Sequence, residues 1–319
     1  MDATALAPGL RGGLRLSRTG RFAPSPTGTL HLGNLRTALL AWLYARAQGA
    51  PFLLRVEDLD TGRVRPHFER EQLADLRAIG LDWDGDVVRQ SERLDLYEDA
   101  LARLDADGAV YPCWCTRAEI REASSAPHGP LPEGHYPGTC RRLTAAQRAE
   151  REAAGRPPAL RVDARAAHVA FTDRLHGEQQ GVVDDFVVRR NDGAFAYNLA
   201  VVVDDGAQRI GEVVRGDDLI DSTPRQLWLA ERLNLAAPTF AHVPLVLGHD
   251  GARLAKRHGA VTLADRRDQG ETPDDVRARL AASVGLTTSP DERPSPSELV
   301  ARFDPDAFAP PPSGPLPGL

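Results

Sequence analysis

Residues 21–34 read Arg-Phe-Ala-Pro-Ser-Pro-Thr-Gly-Thr-Leu-His-Leu-Gly-Asn, which packs an arginine, two prolines, two glycines and a histidine into one short turn. Leu32, Leu35, Leu39 and Trp42/Leu43 then recur at helical spacing, so an amphipathic helix is expected where the turn ends. A rigid turn running into a helix N-terminus is a place for an anion. The first-turn N–H groups lack intrahelical partners there, and the helix dipole favours negative charge. The competing reading is a capped surface helix behind a Pro-rich loop, and local physics alone does not separate the two.

A second segment bears on the same chemistry. Lysine and arginine together number 39, and Lys256 is the single lysine. A compact ammonium on a flexible stem can follow a moving phosphate in a way that a planar guanidinium cannot. Lys256 lies in Gly251-Ala252-Arg253-Leu254-Ala255-Lys256-Arg257-His258-Gly259, with glycine on both sides, a composition that suits a mobile loop. Alone, the lysine could be what a strong arginine bias leaves behind. The three cysteines, Cys113, Cys115 and Cys140, form a separate cluster. An odd count, in a chain expected to work in the cytosol, argues against a disulfide framework, and three thiolates need a fourth ligand to close a tetrahedral zinc site. His128, His135 and Tyr136 lie between Cys115 and Cys140. On chemistry alone His135 is the first choice, because neutral imidazole is a common ligand and a phenol titrates near pH ~10. Three buried or free thiols are the alternative.

The elements that must position these residues alternate. Strands are expected near 14–22, 52–56, Val110, 183–188, 196–203, 210–214 and 241–246. Helices are expected over 32–48, 66–79, 92–107, 222–234, 274–284 and 297–308. Strand–helix alternation predicts a doubly wound parallel α/β sheet, whose ligands bind at the carboxyl ends of the strands. Arg21, Glu57 and Arg215 each fall at or just after a predicted strand end, so they should converge. The length of 319 residues with 42% hydrophobic content supports one large or two smaller domains. No apolar run is long enough to span a bilayer, and residues 1–20 hold no continuous apolar stretch of the secretory kind. A net charge of −6 argues against a protein that coats nucleic acid, although Arg141-Arg142 and Arg189-Arg190 could hold RNA locally.

Taken together, the segments resemble class I aminoacyl-tRNA synthetases of the glutamyl branch. His31-Leu32-Gly33-Asn34 is similar to the first ATP signature, His-Ile-Gly-His, with Asn34 in place of the second histidine. Residues 253–257 are similar to the second, Lys-Met-Ser-Lys-Ser, with Arg253 for the first lysine, Ala255 for the serine and Lys256 on the second lysine. Between them, Arg55-Val56-Glu57-Asp58-Leu59-Asp60, Gly80-Leu81-Asp82-Trp83-Asp84, Gln90-Ser91-Glu92-Arg93, Ala196-Tyr197-Asn198-Leu199-Ala200 and Val214-Arg215-Gly216-Asp217-Asp218 match glutamyl synthetases in order. Asp221-Ser222-Thr223-Pro224-Arg225-Gln226 resembles the shorter glutamyl-Q tRNA(Asp) branch. The stretch after Lys256 has room for a few helices, not for the large anticodon-binding region of a full glutamyl synthetase.

The resemblance implies a Rossmann-like catalytic domain in two halves, 18–111 and 183–260. A zinc-bearing insert would occupy 112–182, a short helical extension 261–308, a flexible N-terminal extension 1–17 and a disordered tail 309–319. It implies that ATP, accompanied by Mg2+, activates L-glutamate to an adenylate without tRNA. The glutamate would then pass to the queuosine base in the anticodon stem-loop of tRNA(Asp). His31, Asn34 and Lys256 would be catalytic, with Arg253 assisting at the phosphates. Arg21, Phe22, Ala23, Pro24, Ser25, Glu57, Tyr197 and Arg215 would form the glutamate site, with Glu57 taking the ammonium and the arginines the carboxylates. Without the ordered motifs, Glu57 would read as a surface carboxylate paired with Arg55, and Arg215 as a salt bridge to Asp217 or Asp218. The family pattern Cys-x-Cys followed by Tyr-x-x-x-Cys implies Cys113, Cys115, Tyr136 and Cys140 as ligands of one structural Zn2+, with His135 the alternative to Tyr136. A cytoplasmic monomer is expected. Two other readings stay open: a truncated glutamyl-tRNA synthetase that charges a tRNA 3′ end, and an inactive module that binds ATP or an amino acid.

Overall fold

Two sheets, one parallel and one mixed, meet edge to edge and set the frame of the molecule. The structure is a computed structural model that describes residues 18–116, 118–120, 135–252, 254, 258–259, 261–287, 289 and 291–316. The expected N-terminal extension, His128, Arg253 and Lys256 lie outside the described residues. Strands β1 (Gly20–Phe22), β2 (Phe52–Val56) and β3 (Val88–Arg89) pair in parallel in that order. They are linked by α1 (Leu32–Ala47) and α2 (Pro66–Ala78), and α3 (Leu94–Ala106) follows. The chain then passes through β4 (Val110–Cys113), α4 (Ala145–Ala153), β5 (Ala159–Val162), β6 (Ala167–Asp173), β7 (Gly177–Val183) and β8 (Val187–Arg189). It continues through α5 (Tyr197–Ala207), β9 (Glu212–Gly216), α6 (Thr223–Arg232) and β10 (Thr239–Val243). Helices α7 (Leu263–Asp268), α8 (Pro273–Ala282) and α9 (Pro296–Arg302) complete it.

The second sheet runs β7-β6-β10-β9, parallel except for the β6–β7 hairpin. Its β9 lies beside β1, and the N–H groups of Gly211 and Glu212 donate to Thr19 O at 3.0 and 3.3 Å. From β1 the strands build outward through β2 to β3, and from β9 they build the other way through β10 to β6. The strand order therefore reverses between β1 and β9, and a crevice opens at the carboxyl ends of the strands at such a point. Strands β4, β5 and β8 form a separate antiparallel sheet that carries the insert.

Helix α1 fills the core rather than lying on it as an amphipathic surface helix. Leu32, Leu35, Leu39, Leu40, Leu43 and Tyr44 are all buried, because the sheet covers one side and the helices after residue 261 cover the other. Tyr44 meets the rings of Phe303 and Phe308 edge-on at 5.0 and 6.0 Å. The extension is thus part of the main core and is not appended to it.

Three expectations are corrected here. Residues 197–207 are helical where a strand over 196–203 is expected. Leu199–Val203 are buried throughout, and a continuous apolar run looks alike in a buried helix and a buried strand. Strand β6 joins the main sheet although it falls within the stretch assigned to the insert, since its alternating burial reads as a surface hairpin. Residues 309–316, part of the stretch expected to be a disordered tail, pack against the body of the protein. Gly314 pairs with Val246, its N–H donates to Leu245 O at 3.2 Å, and Leu316 is buried.

Candidate active site

The crevice at the reversal point is an open cleft of about 610 Å³. Its lining includes Arg21, Phe22, Ala23, Pro24, Ser25, His31, Asn34, Glu57, Tyr197 and Arg215, which are all of the described residues expected to bind glutamate or ATP. Strand β1 delivers Arg21, the turn after β2 delivers Glu57, β9 delivers Arg215, and the start of α5 delivers Tyr197. The tyrosine ring stands 40% exposed in the open cleft.

The Pro/Gly turn is held from behind. Gln72 on α2 donates its amide to Ser25 O at 3.1 Å and to Gly28 O at 2.7 Å, and Glu57 N–H donates to Pro24 O at 2.9 Å. At the end of the turn His31 caps α1. Its Nδ1 accepts from Asn34 N–H at 3.2 Å, and Asn34 Oδ1 accepts from His31 N–H at 3.1 Å. Leu32 N–H donates to Val261 O at 2.7 Å, so two first-turn N–H groups of α1 already have partners. The reciprocal cap also orients the side chains. With Nδ1 and Oδ1 committed as acceptors, His31 Nε2 and Asn34 Nδ2 are the donor ends. A Cβ at Gly33 would stand 3.0 Å from the His31 ring, so a side chain there would press the ring away from the cap by a few tenths of an ångström.

A buried network of charge supports the amino-acid end of the cleft. Arg55 is fully buried and donates to Asp205 Oδ1 at 2.7 Å, to Gln208 Oε1 at 2.9 Å and to Glu57 Oε1 at 3.4 Å. Arg21 Nε reaches the same Asp205 oxygen at 3.4 Å. Burial works against the charge of Asp205, but Arg21 and Arg55 outweigh it and hold its pKa below the ordinary carboxylate value. Glu57 shows the opposite balance: burial pushes its pKa up, and the two arginines only moderate the rise. Glu57 does pair with Arg55, as the surface reading supposed, but it lines the cleft wall.

Arg215 is 5% exposed and is anchored by neutral groups. Its Nη1 donates to Gln226 Oε1 at 2.7 Å, its Nη2 to Thr223 Oγ1 at 2.8 Å, and its Nε to His242 Nε2 at 3.0 Å. Neither Asp217 nor Asp218 pairs with it, and among the described residues no salt bridge involves Arg215. Burial lowers its pKa from the ordinary arginine value, which marks a guanidinium short of solvent and of counter-charge.

The three cysteines gather away from the cleft. Their sulfur atoms lie within 4.8 Å of one another, and Tyr136 Oη faces them at 3.4 Å from Cys113 Sγ and 3.5 Å from Cys115 Sγ. A tetrahedral site with bonds of about 2.3 Å needs ligand separations of this order. Hydrogen bonds from Cys115 and Cys140, with Tyr136 and Arg161 adding, hold the Cys113 thiol below its ordinary value. Arg161 donates to Cys113 Sγ at 3.3 Å and lies 3.9 Å over the Tyr136 ring, so it would offset the charge of a thiolate cluster. His135 is not in the described cluster.

Residues 18–294 match the family described as tRNA synthetases class I (E and Q), catalytic domain. The chain belongs to this family. It is 62% identical over 286 residues to a glutamyl-Q tRNA(Asp) synthetase of Nocardia farcinica, covering 90% of this chain and 89% of that protein. It is 44% identical to a glutamate–tRNA ligase 2 of Syntrophus aciditrophicus, over 83% of this chain and 57% of that one. A crystal structure of a glutamate tRNA ligase from Elizabethkingia meningosepticum in complex with its amino acid superposes with a TM-score of 0.79. The sequence identity there is 27%, and the match covers 94% of this chain and 67% of the other.

The synthetase cleft also uses residues to which the sequence does not point. Asp204, Asp205, Gln72, His242 and Asp173 have no local signature, because strand register and helix packing bring them in, while Thr223 and Gln226 lie in the motif 221–226 without a role that the sequence reveals. Gln90-Ser91-Glu92-Arg93 was legible as a motif but not as a device. Gln90 and Arg93 donate to the fully buried Asp204 at 2.9 and 2.6 Å, and Ser91 N–H donates to Asp58 at 2.8 Å, which ties α3 to the cleft floor. Three of the four arginines considered for RNA are engaged. Arg141 bonds Asp163 and Asp185, Arg189 pairs with Glu98, and Arg190 pairs with Asp192. Among the described residues no helix is long and apolar enough to cross a membrane.

Proposed function

We propose that this synthetase activates L-glutamate with ATP in the cleft and transfers it to the queuosine base of the tRNA(Asp) anticodon. The observation that carries the first half is the charge pattern of one cleft. Arg21 and the uncompensated Arg215 face the same space as Glu57, which complements two carboxylates and one ammonium. The relatives named for glutamyl-Q tRNA(Asp) and the motif 221–226 support the second half.

A carboxylate oxygen of glutamate attacks the α-phosphorus of ATP, an O–P bond forms, and pyrophosphate leaves with the electrons of the broken P–O bond. No side-chain nucleophile is required, so the protein contributes position and charge. Glu57 holds the ammonium. His31 Nε2 and Asn34 Nδ2 donate to phosphate oxygens. Lys256, two residues beyond Leu254 in the cleft lining, neutralises the leaving pyrophosphate, and Arg253 assists. Mg2+ arrives with ATP, held mainly by phosphate and water. A hydroxyl oxygen of the modified base then attacks the acyl carbon, the acyl C–O bond to phosphate breaks, AMP leaves with its electrons, and the hydroxyl proton passes to solvent.

Cys113, Cys115, Cys140 and Tyr136 would hold one structural Zn2+ that pins the insert. Tyr136 N–H donates to Asp184 Oδ2 at 3.1 Å, and Arg225 donates to Asp184 Oδ1 at 2.7 Å, which links that insert to α6 beside Arg215. We place the reaction in the cytoplasm and assign a monomer.

The test is transfer of labelled glutamate to a queuosine-bearing tRNA(Asp) anticodon stem-loop that lacks an acceptor stem. Label on the stem-loop is the expected result. Label only on the 3′ end of intact tRNA would favour a glutamyl-tRNA synthetase that charges 3′ ends.

A further inference from the structure

The geometry points to His242 and Asp173 as positioning residues for glutamate: they form a relay that fixes the orientation of the Arg215 guanidinium without cancelling its charge. The inference rests on the proposed glutamate site and deepens it.

Strands β9 and β10 are parallel with Arg215 directly opposite His242, which brings the two side chains together on one face. The His242 ring is fully buried, stacks on Phe240 at 5.8 Å, and has two nitrogens with fixed roles. Arg215 Nε–H can only donate, so His242 Nε2, 3.0 Å away, accepts. The ring proton therefore sits on Nδ1, where it donates to Asp173 Oδ2 at 2.6 Å. Thr223 Oγ1 lies 3.3 Å from the same Nε2 and also accepts from Arg215, which closes the cage.

Asp173 is itself locked. Its Oδ1 accepts from Leu175 N–H at 3.0 Å and His176 N–H at 3.1 Å, and His242 N–H lies 3.2 Å from Oδ2. The carboxylate at the end of β6 thus selects the imidazole tautomer two strands away from β9. A carboxylate in direct contact with Arg215 would orient it equally well but would neutralise it. The interposed neutral ring keeps the positive charge for a glutamate carboxylate.

Asp173→Asn is the informative variant. The N–H groups of Leu175 and His176 demand an acceptor, so the new amide would turn its oxygen toward them and its NH2 toward His242 Nδ1. That nitrogen must then accept, the ring proton moves to Nε2, and two N–H groups face each other at Arg215. Glutamate-dependent ATP–pyrophosphate exchange should show a glutamate KM raised about 10- to 100-fold, with kcat within about threefold and the ATP KM unchanged. His242→Phe should do the same, and His242→Gln, whose oxygen offers an acceptor without a tautomer, should recover most of the loss. Should His242→Phe fail to fold, Asp173→Asn and His242→Gln still decide. A glutamate KM within twofold of wild type in Asp173→Asn would overturn the relay, as would an equal rise in the ATP KM. Absence of exchange in the wild-type protein would instead overturn the proposed function, and the relay with it.

Discussion

At the scale of the residue, the cleft reads as a set of charges that lack part of their complement. Arg215 is the clearest case, because its hydrogen bonds go to Gln226, Thr223, His242 and the Leu219 carbonyl and none of these is a carboxylate. Arg215→Lys keeps the charge and loses the fork, so kcat/KM for glutamate should fall roughly 100-fold, about 3 kcal/mol. Steady-state exchange kinetics check this. Glu57 gives a pH prediction. Only its charged form can hold the ammonium, and burial raises its pKa above the ordinary carboxylate value. Glutamate binding should therefore weaken on acidification at a higher pH than an ordinary carboxylate would allow. A pH profile of the glutamate KM reads this directly, and Glu57→Gln should raise the KM and remove the inflection. Arg21, Glu57 and Arg215 were legible in the sequence because they sit in ordered motifs at predicted strand ends. His242 and Asp173 were not, since neither lies in a motif and the register of β9, β10 and β6 alone unites them.

At the scale of the element, several helix starts carry local signals and the buried run does not; α4 and α7 were not expected, and α9 ends at Arg302, short of the expected 308. Helix α1 begins on its reciprocal His31–Asn34 cap, and α8 begins on Thr272 with Pro273 behind it, both strong local signals. Residues 199–203 carry no such signal, and packing against α3 and α6 decides for helix α5. That decision matters for the site, because α5 carries Asp204 and Asp205 as neighbours beneath the cleft. Asp205→Ala would leave Arg21 and Arg55 buried without their shared carboxylate, and it should cost about 3–5 kcal/mol in stability. Chemical denaturation measures the loss. At the other end of the cleft, a Cβ at Gly33 would meet the His31 ring at 3.0 Å and Val246 Cβ at 3.3 Å. Gly33→Ala should push His31 off its cap, raise the ATP KM and lower stability by about 1 kcal/mol.

At the scale of the whole molecule, one core unites the first sheet, α1 and the helices after residue 261, while a separate small cluster surrounds the cysteines. The cluster reaches the catalytic half through Tyr136, Asp184 and Arg225. If zinc holds it, metal analysis should give one zinc per chain. Strong chelation or Cys140→Ser should lower the Tm and expose the insert to protease before the rest of the chain. This cleft is expected to make glutamyl-adenylate by itself. Glutamate-dependent ATP–pyrophosphate exchange without tRNA, with Lys256→Ala alongside, tests it most directly. The wild-type protein should show exchange, and the substitution should abolish it. Exchange only when tRNA is added would contradict autonomous activation and favour an ordinary glutamyl synthetase, and no exchange under either condition would leave a binding module.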